Sequence, residues 1–233
     1  MLITIIVPVY NEKKTIEKVI CDINKKVKIN KQIIVIDDGS TDGTKEIIEK
    51  KLLLQITKTI YHDKNLGKGA AIKSSIPFIN GEIIAIQDAD LEYDPSDLNK
   101  LIEKIISGET NVAYGSRVLN KLRYNKNFIS NFRVFGNHML TLLSNIINNQ
   151  KLTDAHTCYK VFNSNIFKKL ELKENGFAFC AEVNTKLAKL NEKIIELPIN
   201  YKGRSEIEGK KIKLRDAFGA LYAIIKYKYL THE

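Results

Sequence analysis

The sequence predicts an α/β fold: a mainly parallel sheet flanked by helices. Three observations predict it. Up to about residue 116, short apolar runs rich in β-branched residues alternate with segments whose apolar residues recur at helical spacing, the signature of successive β-α units. The runs are apolar at nearly every position rather than at every second one, as strands covered on both faces are. Each of three runs ends in a polar cluster, and in open parallel sheets ligands gather outside the carboxyl ends of the strands.

Taken in order, Leu2 to Val7 reads as the first strand, and Thr15, Ile16, Val19, Ile20, Ile23 and Val27 mark the helix after it. Ile33 to Ile36 is the second strand, ending in Asp37-Asp38-Gly39-Ser40, with a helix from about Thr44. Ile56 to Tyr61 is a weaker third strand, followed by Gly67-Lys68-Gly69 and a helix to about Ser75. Ile83 to Ile86 is the fourth, ending in Gln87-Asp88-Ala89-Asp90, and Pro95 suits the first turn of the next helix. After Arg117 a polar, basic stretch leads into Phe128, Phe132, Phe135, Met139, Leu143 and Ile146, which share one helix face. A short segment from Thr153 to Phe162, a helix over Ala181 to Leu190, a strand over Ile194 to Ile199 and a last helix from about Lys213 to Leu230 complete the chain. With no internal repeat and no low-complexity linker, residues 1–233 read as one domain.

Composition narrows the function classes. The hydrophobic share of 44% supports a buried core. The longest apolar run, Ala217 to Ile225, is far short of the about 20 residues a spanning helix takes, and the N-terminus lacks a basic segment and a cleavage site. A cytoplasmic protein is expected. Cys21, Cys158 and Cys180 have no spacing that suggests a disulfide framework or a zinc site. A net charge of +10, from 37 basic and 27 acidic residues, points to a polyanionic partner: nucleic acid, an anionic membrane face or a phosphorylated small molecule. Five of the 37 are arginines, at 117, 123, 133, 204 and 215, and no nucleic-acid-binding motif is present.

Several clusters carry chemistry. Asp88 and Asp90 are two apart at a strand end, so both side chains can point to one side. Their mutual repulsion is relieved by a cation between them. Two readings stand: a magnesium or manganese clamp on a diphosphate, or a pair of helix caps. In Asp37 to Gly43 the ordinary turn chemistry accounts for Ser40 and Asp42, whereas Asp38 can accept hydrogen bonds from a base or ribose. Gly67-Lys68-Gly69 lacks the rest of a dinucleotide or P-loop fingerprint and reads as a tight helix start. Of the four histidines only His156, beside Asp154, stands out, and there is no nucleophile elbow for acyl transfer. Arg204 and Lys210 lie in a glycine-flanked basic loop that can close over a ligand and neutralise a diphosphate leaving group.

Together, Pro8-Val-Tyr-Asn-Glu12, Ile36-Asp-Asp-Gly-Ser-Thr-Asp-Gly43, Asn65-Leu-Gly-Lys-Gly69, Asp88-Ala-Asp-Leu91, Gly115-Ser-Arg117 and Asp154 with Cys158-Tyr-Lys160 resemble the family 2 glycosyltransferases, in particular the dolichyl-phosphate and polyprenyl-phosphate sugar synthases. The resemblance runs from residue 3 to about 213. It implies a GT-A fold, a GDP- or UDP-hexose donor, Mg²⁺ or Mn²⁺, and inversion at the anomeric carbon.

Residue by residue, the resemblance implies that Pro8, Tyr10, Glu12, Ile36 and Asp38 hold the nucleoside. Asp88, Ala89 and Asp90 meet the diphosphate and metal, with Glu92 as a third metal residue, and Arg117, Arg204 and Lys210 meet phosphates. Asp154 orients groups if the acceptor is a lipid phosphate and is the natural base if it is a hydroxyl. Residues 1–116 form the donor half and 117–233 the acceptor half. Three departures are visible: Glu92 where relatives often have Gln, Gly209 for Ser, and Thr157 to Lys160 in place of a Gly-Phe-Arg or Gly-Phe-Lys pattern. The expected function is transfer of mannose or glucose to a polyprenyl phosphate, with a soluble glycan or protein acceptor as the alternative and a nucleic-acid-binding module as a remote one. The Phe128 to Ile146 stripe and the face of Leu214, Phe218, Leu221 and Ile225 either pack as core or dimer contacts or lie on the cytoplasmic membrane face.

Overall fold

The structure, a computed structural model, describes residues 1–119, 128–204 and 214–231, with 128–133 and 214–216 described by backbone alone. In chain order the elements are β1 (Ile3–Val9), α1 (Ile16–Lys26), β2 (Lys31–Asp37), α2 (Thr44–Ile47), β3 (Lys58–Tyr61), α3 (Lys68–Ser75), β4 (Ile83–Ile86), α4 (Asp97–Ile106), β5 (Val112–Ser116), α5 (Phe128–Asn148), β6 (Lys160–Asn163), α6 (Ser164–Lys169), α7 (Phe179–Lys189), β7 (Ile194–Pro198) and α8 (Leu214–Ile225). The helix expected from Thr44 is only one regular turn before wider and tighter turns carry the chain to Gln55. The short α6 had no separate signal in the sequence.

Among the described residues seven strands form one sheet in the order β3-β2-β1-β4-β6-β5-β7. β1, β2, β3 and β4 are mutually parallel, and β7 is parallel to β5. β6 runs antiparallel between β4 and β5. The central strands are buried along nearly their whole length, while the edge strands β3 and β7 are partly exposed, which is why the near-continuous apolar runs of the sequence belong to the middle of the sheet. The main core joins Ile5, Ile6, Ile34, Ile84 and Val161 of the sheet to Ile20, Leu101 and Val183 of the helices. A smaller cluster, Ala181, Ala220, Ala223, Ile224 and Tyr227, glues α8 to α7.

Two features of this topology position a site. The chain leaves β1 toward β2 and β3 on one side and returns to β4 on the other, so the strand order switches between β1 and β4, where a crevice forms. Pairing of β1 with β4 ends at Ile6 and Ile86. The Ile6 carbonyl accepts from the Gln87 amide and the Val9 carbonyl from the Asp38 amide, so by strand alternation Pro8, which has no amide hydrogen, faces the β4 side just past the last paired residue. The two strands part there. The reversed direction of β6 then brings the loop before it, Asp154 to Tyr159, to the same rim as the carboxyl ends of β1, β2 and β4.

Candidate active site

The rim is assembled by hydrogen bonds between its loops. Asn11, in a left-handed turn (φ 52°), donates its amide to the Ser40 hydroxyl oxygen (2.8 Å), and its side-chain oxygen accepts from the Thr41 amide (2.7 Å). Asp42 accepts from the Thr44 amide and the Lys13 amide, so Ser40 and Asp42 have the turn and capping roles that their residue types favour. Asp38, buried at the end of β2, accepts from the amides of Leu66 (2.9 Å) and Gly67 (2.8 Å) and lies 2.7 Å from His62 Nδ1. His62 Nε2 in turn meets Ser74 of α3 at 2.8 Å. Asp38 thus fixes the 65–67 loop. A carboxylate has about four acceptor positions, which leaves it one further to offer.

That loop delivers Lys68. Its ammonium lies 2.5 Å from the Asp88 carboxylate and 3.2 Å from Cys158 Sγ. Burial pulls the lysine's proton affinity down, but Asp88, with the two nearby thiols, outweighs it and holds the ammonium well above its ordinary range. Cys158 is pushed up, by burial first and then by Asp88, so its thiol stays protonated and unreactive. The glycines beside Lys68 serve close approach: a Cβ on Gly69 would sit 2.3 Å from the Glu174 carbonyl oxygen, and one on Gly67 2.4 Å from that of Asn175. The tight helix start read from the sequence is what the structure has there.

Two residues on, Asp90 sits in a second charge cluster. Arg204 forks onto Glu12 with two 3.0 Å bonds and reaches Asp90 at 3.1 Å. Its main-chain amide donates to Glu92 (2.7 Å), and the Tyr201 hydroxyl donates to the other oxygen of Glu92. The Lys202 amide donates to the Glu92 carbonyl, and Tyr201 bridges Tyr93. Burial, with Asp88 and Glu92 adding to it, raises the Asp90 carboxyl to about 7 against the opposing pull of Arg204. Arg204 Nε is buried without a hydrogen-bond partner.

The third cluster is the ion pair of Arg117 and Asp154, both nearly buried, bidentate at 2.6 and 2.7 Å, with the Arg117 amide adding a third bond to Asp154. Glu196 of β7 holds the loop by accepting from the amides of Thr153 and Asp154. A cleft beside this pair is lined by Val134, Asn137, His138 and Thr141 of α5.

These positions bear directly on the residues singled out in the sequence. Glu12, Asp90, Glu92 and Arg204 come together, Asp88 lies next to them, and Ala89 is buried between, its carbonyl accepting from Thr15. Pro8 and Tyr10 border the opening above β1. Ile36 offers no side-chain surface to the rim because it is wholly buried in the core. Asp154 is not a free base, since Arg117 occupies both of its oxygens. His156 Nε2 is buried without a partner, and burial with Lys160 nearby lowers the ring to about 4, so it is neutral. Lys210 lies outside the described residues.

Two residues carry more of the site than the sequence indicated. Lys68 and His62 are 20 and 24 positions from their carboxylate partners, a separation at which no local pattern marks a pair.

Asp88, Asp90 and Glu92 are not arranged as a ready metal shell: among the described residues no group of three or more His, Cys, Asp or Glu side chains is. Glu92 is taken up by Tyr201 and Arg204 instead. What the rim offers is two hard carboxylates, Asp88 and Asp90, each facing a single protein cation. That donor set fits magnesium or manganese, which bind through one or two carboxylates and complete the shell with substrate phosphate and water.

The model of the family described as Glycosyl transferase family 2 matches residues 4–171, a span that runs from the second residue of β1 past β6 and contains the Asp38, Asp88, Asp90 and Asp154 positions. The chain belongs to glycosyl transferase family 2. Among curated family relatives, the dolichyl-phosphate beta-glucosyltransferase of Trichomonas vaginalis is 27% identical, the match covering 91% of this chain and 68% of that protein. The dolichol-phosphate mannosyltransferase of Pyrococcus furiosus is also 27% identical, over 91% of this chain and 61% of its own length. The chain thus spans about two thirds of the length of these relatives. Among solved structures, glucosyl-3-phosphoglycerate synthase from Mycobacterium tuberculosis, in complex with Mn²⁺, uridine diphosphate and glucosyl-3-phosphoglycerate, superposes with a TM-score of 0.72 at 18% identity, covering 97% of this chain and 79% of that one. The same enzyme with Mg²⁺ and uridine diphosphate also gives 0.72. The fold is therefore of the GT-A type, as the α/β pattern and the motif order led one to expect.

Proposed function

We propose that the chain transfers a hexose, glucose or mannose, from a GDP- or UDP-linked donor to the phosphate of a polyprenyl phosphate, with inversion, at the cytoplasmic face of a membrane. The observation that carries the reading is the pair Asp88 and Asp90 at the β1/β4 crevice, each in an ion pair with one cation, Lys68 for Asp88 and Arg204, shared with Glu12, for Asp90. The curated relatives named for dolichyl-phosphate glucosyl and mannosyl transfer supply the acceptor class.

In this account residues 1–116 hold the donor and 117–233 the acceptor. Pro8, Tyr10 and Glu12 wall the nucleoside pocket, and Asp38 uses its remaining acceptor position on the nucleoside. Asp88 and Asp90 hold Mg²⁺ or Mn²⁺, which when bound neutralises charge on the diphosphate. Arg204 exchanges its carboxylate partners for diphosphate oxygens, with Lys210 assigned the same task from the sequence. The acceptor phosphate oxygen forms its bond to the anomeric carbon on one face while the bond to the diphosphate breaks on the other, the electron pair leaving with the nucleoside diphosphate. The attacking oxygen is already anionic, so no proton needs a base, and Asp154 acts by holding Arg117 toward the acceptor phosphate.

Titration calorimetry of UDP and GDP in the presence of Mn²⁺ tests the donor half. One of the two nucleotides binds, and Asp90→Asn, while folding normally, loses at least a hundredfold in metal-dependent affinity and abolishes transfer. Failure of both nucleotides to bind, or near-normal turnover by Asp90→Asn, overturns the assignment.

A further inference from the structure

Of the acids on the rim, Asp38 is the one whose acceptor positions the protein itself nearly fills. Its Oδ1 meets two donors, His62 Nδ1 at 2.7 Å and the Leu66 amide at 2.9 Å, and its Oδ2 meets one, the Gly67 amide at 2.8 Å. A carboxylate oxygen has about two acceptor positions. Oδ1 is therefore full, and Oδ2 keeps one position for a ligand. Only 4% of the Asp38 side chain and 10% of the His62 side chain are exposed, so the protein rather than solvent sets this count.

His62 is held in this position from three sides. Its amide donates to the Asp37 carbonyl, just past the last paired residues of β2 and β3. Its other ring nitrogen, Nε2, lies 2.8 Å from the Ser74 hydroxyl, which sits on α3 at 3.1 Å from the Ala70 carbonyl. Nδ1 faces a carboxylate, which only accepts, while Nε2 faces a hydroxyl, which both donates and accepts. Nδ1 thus carries a hydrogen whether the ring is neutral or protonated, and its hold on Oδ1 does not depend on the charge of the ring. The loop that His62 begins packs directly on the residue after Asp38: a Cβ on Gly39 would lie 2.5 Å from the Lys64 carbonyl carbon.

One acceptor position reads one N–H. On its pairing edge uracil presents a single N–H, at N3, between two carbonyl oxygens. Guanine presents two adjacent N–H groups, at N1 and on the 2-amino group, which match a carboxylate whose two oxygens are both open. With Oδ1 filled, the second guanine N–H faces an oxygen that has no position left, and a donor buried without a partner is disfavoured. We propose that His62 is a specificity-determining residue: by filling Oδ1 of Asp38 it restricts the site to a base with one N–H on that edge, so the sugar donor is a uridine rather than a guanosine diphosphate sugar. The proposal rests on the reading of Asp38 as a nucleoside contact, and it deepens that reading by naming the base.

The test is titration calorimetry of the full chain with UDP, GDP and inosine diphosphate, each with Mn²⁺. Inosine diphosphate is guanosine diphosphate without the 2-amino group, so it keeps the size of the purine and has the single N–H. The wild type binds UDP about tenfold or more tighter than GDP, and inosine diphosphate roughly fivefold or more tighter than GDP. In His62→Ala, which opens a position on Oδ1, the preference for inosine over guanosine diphosphate falls to about twofold or less. In His62→Asn, whose side-chain amide takes the place of Nδ1 as donor, the wild-type preference is kept. If His62→Ala instead weakens all three nucleotides alike and leaves their ratios, His62 is merely structural and the proposal falls. A wild type that binds GDP as tightly as UDP or inosine diphosphate also overturns it while leaving the donor site standing, and that comparison needs no variant to fold. Failure of all three nucleotides to bind removes the donor reading and the proposal with it.

Discussion

The ammonium of Lys68 lies 2.5 Å from the carboxylate of Asp88, with both side chains at most one-fifth exposed. In a crevice read as a metal and diphosphate site, one of the two aspartates is thus held by a protein cation from a loop that Asp38 anchors. Breaking a buried pair by removing one partner leaves an uncompensated charge, whereas removing both does not. Lys68→Met and Asp88→Asn are each expected to lower stability by about 1 to 3 kcal/mol, and the double variant by clearly less than their sum. Denaturant titrations of the four proteins measure the coupling.

The carboxyl of Asp90, raised to about 7 by burial and by its acidic neighbours, gives metal binding a pH dependence. A divalent ion binds the ionised form, so below pH 7 it must displace a proton. Affinity for Mn²⁺ with nucleotide is expected to fall about tenfold per pH unit from 7 to 5.5 and to level off above 8. In Asp90→Asn this dependence disappears along with most of the affinity. Fluorescence titrations at fixed nucleotide across that range read the slope directly.

Lys160 is fully buried on β6, its ammonium bonded to the Ala155 carbonyl and 3.6 Å from the centre of the Tyr114 ring. Burial lowers it to about 8, below its value of about 10.4 in the unfolded chain. Between those values the unfolded chain binds more protons than the folded one, so this residue's contribution makes stability rise with pH. Lys160→Met removes that contribution. The difference between wild-type and variant unfolding free energies is expected to change by about 1.4 kcal/mol per pH unit from pH 8 upward, and to be flat below 8.

Gly69 has an ordinary backbone conformation and is there for space, with the Glu174 carbonyl where a methyl group would go. Gly69→Ala is expected to cost roughly 1 to 3 kcal/mol and to move Lys68 away from Asp88. A melting-point shift together with loss of donor affinity confirms this; Gly108→Ala, where nothing lies within 4 Å, isolates the backbone effect of replacing a positive-φ glycine.

The sheet was legible because its central strands carry their burial in composition: Ile33 to Ile36 and Ile83 to Ile86 have no other reasonable reading. β6 was not. Its four residues, Lys160–Asn163, include a buried lysine, and its antiparallel direction depends on a pairing with β4 across 76 to 80 positions of the chain. The acids of the rim were legible as residue types at strand ends. Their partners were not, because Lys68, His62 and Arg204 reach them across the sheet, and local spacing says nothing of such contacts. The apolar stripes of α5 and α8 were visible in the sequence, and only packing shows which of their residues are exposed among the described ones. Leu221, grouped with Phe218 and Ile225 on one face by spacing, is half-buried, whereas Tyr222 beside it is exposed.

Hexose transfer to a lipid phosphate is read out by a single assay. Labelled glucose and mannose, each supplied as UDP- and GDP-linked donors with Mg²⁺ or Mn²⁺, are incubated with the protein and polyprenyl phosphate, and the organic phase is counted. Label from one donor is expected to enter that phase only with metal, and Arg204→Ala to reduce the rate at least a hundredfold. Metal-dependent nucleotide release with all label remaining in water contradicts the lipid acceptor, and no release from any donor contradicts the account as a whole.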